Sequence, residues 1–322
     1  MEEDNLNKGI EQIKKISMTE AEKARILEYV TSSPLKKEPM QSPYAIYSFM
    51  AILKEKRVAL YVSVFCLLIV GSGTVFASVN SLPGNILYPI RINILEPIHS
   101  AFIFSAEGKL NYQSDLATER LVEAETLAED NKLDTSKETE LVNLLKKNTE
   151  AVNTALFSLN QKNPSQNNNS DDIATNFQAS MNAHARVLDI LNNKQNGSSQ
   201  NDESVANVAR ASGVKIIQNI KNNGSDGLNK YINKKTSVQS IIDNTSTDLE
   251  KNTNANSSQA EQNIINDTHE TLNQASQLLM QAEEEENNGD SKSAYSKILD
   301  SESAAKEANI FMRTGLNFGG NS

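Results

Sequence analysis

The sequence predicts an all-α protein: one transmembrane helix followed by antiparallel helical hairpins that pack as an extracytoplasmic bundle. Three observations predict it. A 22-residue run, Val58 to Val79, carries no charge. After it, apolar residues recur at helical spacings and are punctuated by Asn-, Ser- and Gly-containing breaks. Strand-type alternation is nearly absent. The apolar share is only 38% of 322 residues, so the chain can fill narrow helical seams more readily than a broad core.

The N-terminal segment, residues 1–57, opens with a helix signal. Thr19 and Glu22 have the spacing of a capping box, and the helix should run through Val30. Ser42 to Arg57 mixes aromatic and aliphatic residues beside Lys54, Lys56 and Arg57. That pattern suits an interfacial helix merging into the span, or a plain extension of it.

The run "VALYVSVFCLLIVGSGTVFASV", residues 58–79, measures about 33 Å as a helix against a hydrocarbon core of about 30 Å. A soluble core helix would show a polar face, and none exists at any register. A cleaved signal peptide would not be preceded by so long a leader, and Val75 to Ala77 is a poor cleavage site. Basic residues crowd the N-terminal flank, whereas Arg91 is the only basic residue soon after the run. The positive-inside rule therefore places residues 1–57 in the cytoplasm and the rest outside. Net charge divides the same way, +1 before the run and −11 across the remainder of the chain. Gly71 and Gly73 do not make a GxxxG dimer face. Cys66, the single cysteine, lies mid-run and reads as a small apolar residue.

The exit is "SLPGNILYPI", Ser81 to Ile90. Pro83-Gly84 should end the membrane helix. Tyr88 should sit at headgroup depth. Pro89 and Pro97 should keep the next segment broken or stiff.

Beyond the exit, residues 80–195 read as one helical domain. Ser105 should start a helix ending near Asn131, with Leu110, Ala117, Leu121, Ala124 and Ala128 on one stripe. Thr135 and Glu138 suggest a capping box for the next helix, striped by Leu141, Leu145, Val152, Ala155 and Leu159. The short join predicts an antiparallel hairpin. Asn163 to Asp172 reads as a polar loop. A third helix carries Ile173, Phe177, Met181, His184, Leu188 and Leu191. The break Asn193 to Asp202 marks the expected boundary with a second helical region, 196–322. That region holds a helix weakened by Gly213, another from about Leu228 to Leu249, a loop at Asn252 to Ser258, and a final hairpin over 257–314. The hairpin pairs Ile265, Thr268, Leu272, Ala275, Leu279 and Ala282 with Ala294, Ile298, Ala305, Ala308 and Met312. Asn287 to Asp290 should close one helix and cap the next.

Residues 81–130 resemble an uncharacterised bacterial family of single-span membrane proteins with an extracytoplasmic domain of unknown function. The resemblance rests on Pro83, Gly84, Leu87, Tyr88, Pro89 and Arg91, then on Leu116, Ala117, Arg120, Leu121, Glu123 and Ala124, the L-A-x-x-R-L-x-E-A helix. Asn85 stands where the family usually has Asp, and Ile90 separates Tyr88-Pro89 from Arg91. Ala183 to Leu191 and Ser301 to Gly315 are also similar to longer members. Some relatives resemble anti-sigma factors, which implies a short cytoplasmic regulator joined to an outer sensor.

No catalytic, cofactor or metal residues stand out. His184 lies on an apolar stripe and reads as a hydrogen-bonded core residue. His269-Glu270 lacks the second histidine of H-E-x-x-H. Glu283 to Glu286, an acidic run near a helix C-terminus, reads as a solvated face. The acidic balance and the missing basic stripe argue against nucleic acid. The expected partners are the lipid bilayer and an unidentified protein, with self-association open. The expected function is a non-enzymatic, membrane-anchored envelope protein whose outer domain serves interaction, structure or sensing; the alternative is an anti-sigma-like regulator.

Overall fold

The computed structural model describes residues 19–32, 81–162, 168–194, 203–223, 228–253 and 257–319. The uncharged run 58–79, with Cys66, and the segment Ser42 to Arg57 lie outside the described residues. Among the described residues no helix is long and apolar enough to cross a membrane. Every described element is helical. Residues 1–71 and 72–322 form separate compact units.

The first unit is described through α1, Glu20–Ser32. Its capping box is formed: the Glu22 N–H donates to Thr19 Oγ1 at 3.3 Å, and the Thr19 N–H donates to Glu22 Oε2 at 2.8 Å.

The second unit begins with a bent helical segment: α2, Tyr88–Ile90, a π-helical turn, Arg91–Leu95, and α3, Glu96–Ala101. Pro97 cannot donate to the Asn93 carbonyl and would crowd it in a regular helix, and the π turn ends at Leu95, two positions before it. The expected stiff, broken segment is thus a helix with one widened turn.

α4, Ala106–Glu129, and α5, Thr135–Lys162, form the first hairpin. Ser105 caps α4 by accepting from the Gly108 N–H at 3.0 Å. The helix ends in a Schellman motif. Asn131 is left-handed (φ 56°), its N–H reaches the Ala128 carbonyl, and the Lys132 N–H reaches that of Leu127. The cap of α5 corrects the expectation for Thr135. Asp134 takes that position, its Oδ1 accepting from the Lys137 N–H at 3.0 Å. A carboxylate one residue earlier is the stronger acceptor for these exposed amides.

α6, Asn168–Lys194, starts earlier than the polar stretch Asn163 to Asp172 suggested. α7, Val205–Asn223, and α8, Leu228–Asn252, follow. α9, Gln259–Asn287, and α10, Ser291–Gly319, make the last hairpin. Its turn repeats the chemistry of the first: a left-handed residue, Gly289 (φ 84°), then an Asp cap, Asp290, accepting from the Ser293 N–H at 2.9 Å.

α4, α5, α7 and α6 form a four-helix ring, while α8, α9 and α10 pack together and α10 lies along α6. α6 therefore serves both groups. Phe177, Met181, Ala183, Ala185, Val187 and Leu188 are all buried, so it is covered on several faces. The stripes read from the sequence on α4, α5 and α10 are buried or partly buried as expected. On α9 Ile264 is buried, while Ile265 is only partly buried. Gly213, expected to weaken α7, marks a close crossing: a Cβ there would stand 3.2 Å from the Gln178 Cα.

Candidate functional site

Motif residues of the segment before α3, Tyr88 and Arg91, meet those of α4, Arg120 and Glu123, in one buried polar cluster. Its entry is the Pro83-Gly84 turn, where Gly84 has φ 92° and the Asn85 N–H donates to the Leu82 carbonyl at 3.0 Å. An L side chain at that angle is strained. The turn directs Tyr88 inward. This corrects the expectation of a headgroup aromatic, since Tyr88 is 1% exposed. Its hydroxyl donates to Glu123 Oε2 at 2.7 Å and accepts from Arg120 Nη1 at 3.2 Å. A phenol with a carboxylate and a guanidinium within reach is held by the protein interior in preference to an interface.

Arg91 and Arg120 supply the positive charge. Arg91 Nη1 donates to the Ser81 carbonyl at 2.9 Å, and its Nη2 lies 2.6 Å from Glu119 and 2.7 Å from Glu123. Arg120 is fully buried, pairing with Glu123 at 2.7 Å and closely with Glu96. Two guanidiniums thus meet three carboxylates contributed by α3 and α4. Tyr112 completes the border, donating to the Glu96 carbonyl at 3.2 Å and meeting the His99 ring edge-on at 4.5 Å.

The electrostatics follow from burial. Desolvation, then Glu123, pushes the Tyr88 phenol far above its ordinary range. Burial, followed by Glu96, raises the Tyr112 phenol to about 12. Burial works against the Arg120 charge, but Glu123, Tyr88 and Glu96 together raise its pKa. For Glu123, burial outweighs the attractions of Arg120 and Arg91, so its pKa is raised. The cluster acts as a lock: its hydrogen bonds and ion pairs clamp the segment that carries Tyr88, Arg91 and Glu96 onto α4.

Two further buried polar groups hold α6. Glu125, beside the motif on α4, meets His184 Nδ1 at 2.8 Å, which places His184 as the hydrogen-bonded core residue expected. Burial raises the Glu125 pKa against the pull of His184. At the start of α6, Asp171 accepts from the Tyr295 hydroxyl, and Lys234 joins Asp172 (2.6 Å) to Glu302. Lys306 pairs with the same Glu302 at 2.7 Å and donates to Thr175 at 3.0 Å. Further along, the Arg186 guanidinium lies 4.0 Å from the Phe311 ring centre and donates to Thr271 Oγ1 at 2.7 Å.

His269 is exposed and bonds Asn273 on its own helix, remote in environment from buried His184. In the run Glu283 to Glu286, Glu283 pairs with Lys235 at 2.9 Å. Among the described residues no group of His, Cys, Asp and Glu is placed to hold a metal ion.

Glu96 and Glu119 were invisible to sequence reading. The available signal was Arg120 and Glu123 themselves, a charged pair at i, i+3 inside the apolar series Leu116, Ala117, Leu121 and Ala124. Such a pair in a buried stripe needs partners from another segment.

Comparison with curated proteins and with solved structures gave no match. Residues 80–211 match the family described as Domain of unknown function (DUF5667). The segment from the exit turn into α7, with its Tyr88–Arg91–Arg120–Glu123 lock, is therefore a domain of that family.

Proposed function

We propose that this is a non-enzymatic, single-span bacterial envelope protein whose helical domain, outside the membrane, presents an interaction or sensing surface. The uncharged run 58–79 is the anchor. The observation that carries the reading is the buried lock of Tyr88, Arg91, Arg120 and Glu123. It fixes the residues nearest the anchor to the bundle, so that tilt or force on one is passed to the other. A flexible tether would need no such cluster.

The test is topological. Fractionation should recover the intact chain with membranes, and protease added to spheroplasts should digest the C-terminal bulk. Recovery in the soluble fraction, or protection from external protease, overturns the reading.

A second reading, anti-sigma-like signalling, draws on α1, an N-capped helix in the N-terminal segment that exposes Ile26. Capture of a sigma factor by residues 1–57 would favour it, and failure to recover any transcription protein would count against it.

A further inference from the structure

We infer that the exposed face of the α2–π–α3 segment lies on the membrane surface, its apolar side chains in the boundary between lipid headgroups and acyl chains. The inference rests on the anchored reading above and specifies how the outer domain sits on its membrane.

Four observations carry it. The first is composition: from Val58 to Ala106 the only Lys, Arg, Asp, Glu or His residues are Arg91, Glu96 and His99. The second is where they point. Arg91 and Glu96 both turn into the lock, with side chains only 7% and 13% exposed, and His99 packs on Tyr112. The outward face is left without charged carboxylates or guanidiniums. The third is what the segment exposes: Ile94 (49% exposed), Ile98 (52%) and Phe102 (72%), flanked along the chain by Ile86 (91%) and Phe104 (88%). Ile94, Ile98 and Phe102 succeed one another at i, i+4, the spacing of one helical stripe. In water such a patch is costly, whereas at an interface it is the binding element, and Phe suits that depth.

The fourth is tethering. Ser81 is buried in the domain, and its carbonyl is held by Arg91. It stands two positions beyond the end of the uncharged run at Val79, a reach of about 7 Å. The domain therefore has no slack to stand away from the bilayer, and the nearest large apolar surface available to the stripe is lipid. A second copy or another protein would have to displace lipid to reach it.

The test uses the full chain reconstituted in vesicles of phosphatidylethanolamine and phosphatidylglycerol. An environment-sensitive fluorophore is attached to single cysteines: native Cys66, or, each with Cys66→Ala, Ile98→Cys, Phe102→Cys or the exposed Lys292→Cys as the aqueous control. Labels at Ile98→Cys and Phe102→Cys should shift to the blue and be quenched by lipids spin-labelled near the headgroup. Deep spin labels should quench Cys66, and neither should quench Lys292→Cys. If Cys66 is quenched but the stripe positions are as wet as the control, the inference falls and the anchor stands. If the stripe is shielded from water yet untouched by lipid quenchers, protein covers it and the inference falls. If Cys66 itself escapes lipid quenchers, the anchored reading falls with it.

Discussion

Arg120→Met tests the lock most directly. The side chain is fully buried and touches Glu96, Glu123 and Tyr88. Methionine replaces most of its volume but none of its charge. Glu96, Glu119 and Glu123 would then share Arg91 alone, and at least one buried carboxylate would lose its pairing. Removing one member of a buried ion cluster costs about 3–5 kcal/mol, because the partners keep their desolvation penalty without compensation. For a domain of this size that corresponds to a fall in Tm of about 6–20 °C. Urea unfolding of the detergent-solubilised full chain, followed by far-UV circular dichroism, reads it. Adding Glu123→Gln removes one of the stranded charges, so the double variant should recover about 1–3 kcal/mol relative to the sum of the singles. A loss below about 1 kcal/mol for Arg120→Met, or strict additivity of the pair, would refute the lock.

Three further outcomes are expected. Gly213→Val should destabilise by about 1–3 kcal/mol in the same assay, because its Cβ would press on the Gln178 backbone, which cannot swing aside. Lys234→Met should cost about 2 kcal/mol, less than Arg120→Met, because Glu302 keeps Lys306 and Asp172 is half-exposed. Glu125→Gln should change the pH profile. Burial raises the Glu125 pKa, so the folded state holds its proton to higher pH than the unfolded chain. That stability is fully present below the unfolded value, about 4.3, and is lost as pH rises through the folded one. The Tm advantage of the native chain over Glu125→Gln should therefore shrink as pH rises from about 4 towards neutrality; a constant difference would contradict it.

Helix positions were legible because their signals are local. The stripes on α4, α5 and α10, the Ser105 cap and the Asp290 cap follow from spacing and side-chain type within a few residues. What sequence reading mistook depended on partners far along the chain. Tyr88 looks amphipathic wherever it stands; only Glu123 and Arg120, more than thirty residues away, decide that it turns inward. The stretch before Ile173 has a loop's composition, yet it is drawn into α6, with Asp171 in the first turn held by Tyr295 and Asp172 just after it held by Lys234. Acidic groups suit that turn's unsatisfied amides, a local reason that Asn-rich composition concealed. The lock was half-visible: four of its members belong to the recognised motif, while Glu96 and Glu119 carry no signal of their own.

The double service of α6 has a consequence for how this chain can be divided. One side of the helix needs α4 and α7; the other offers Asp171, Thr175, Asn182 and Arg186 to α10. A fragment cut at residue 211, where the family match ends, would sever α7 midway and strip that second side bare. Arg186 would lose the Phe311 ring, and Asp171 the Tyr295 hydroxyl. In this protein the C-terminal helices are thus no appendage: they are the other half of the wall against which the family domain is built.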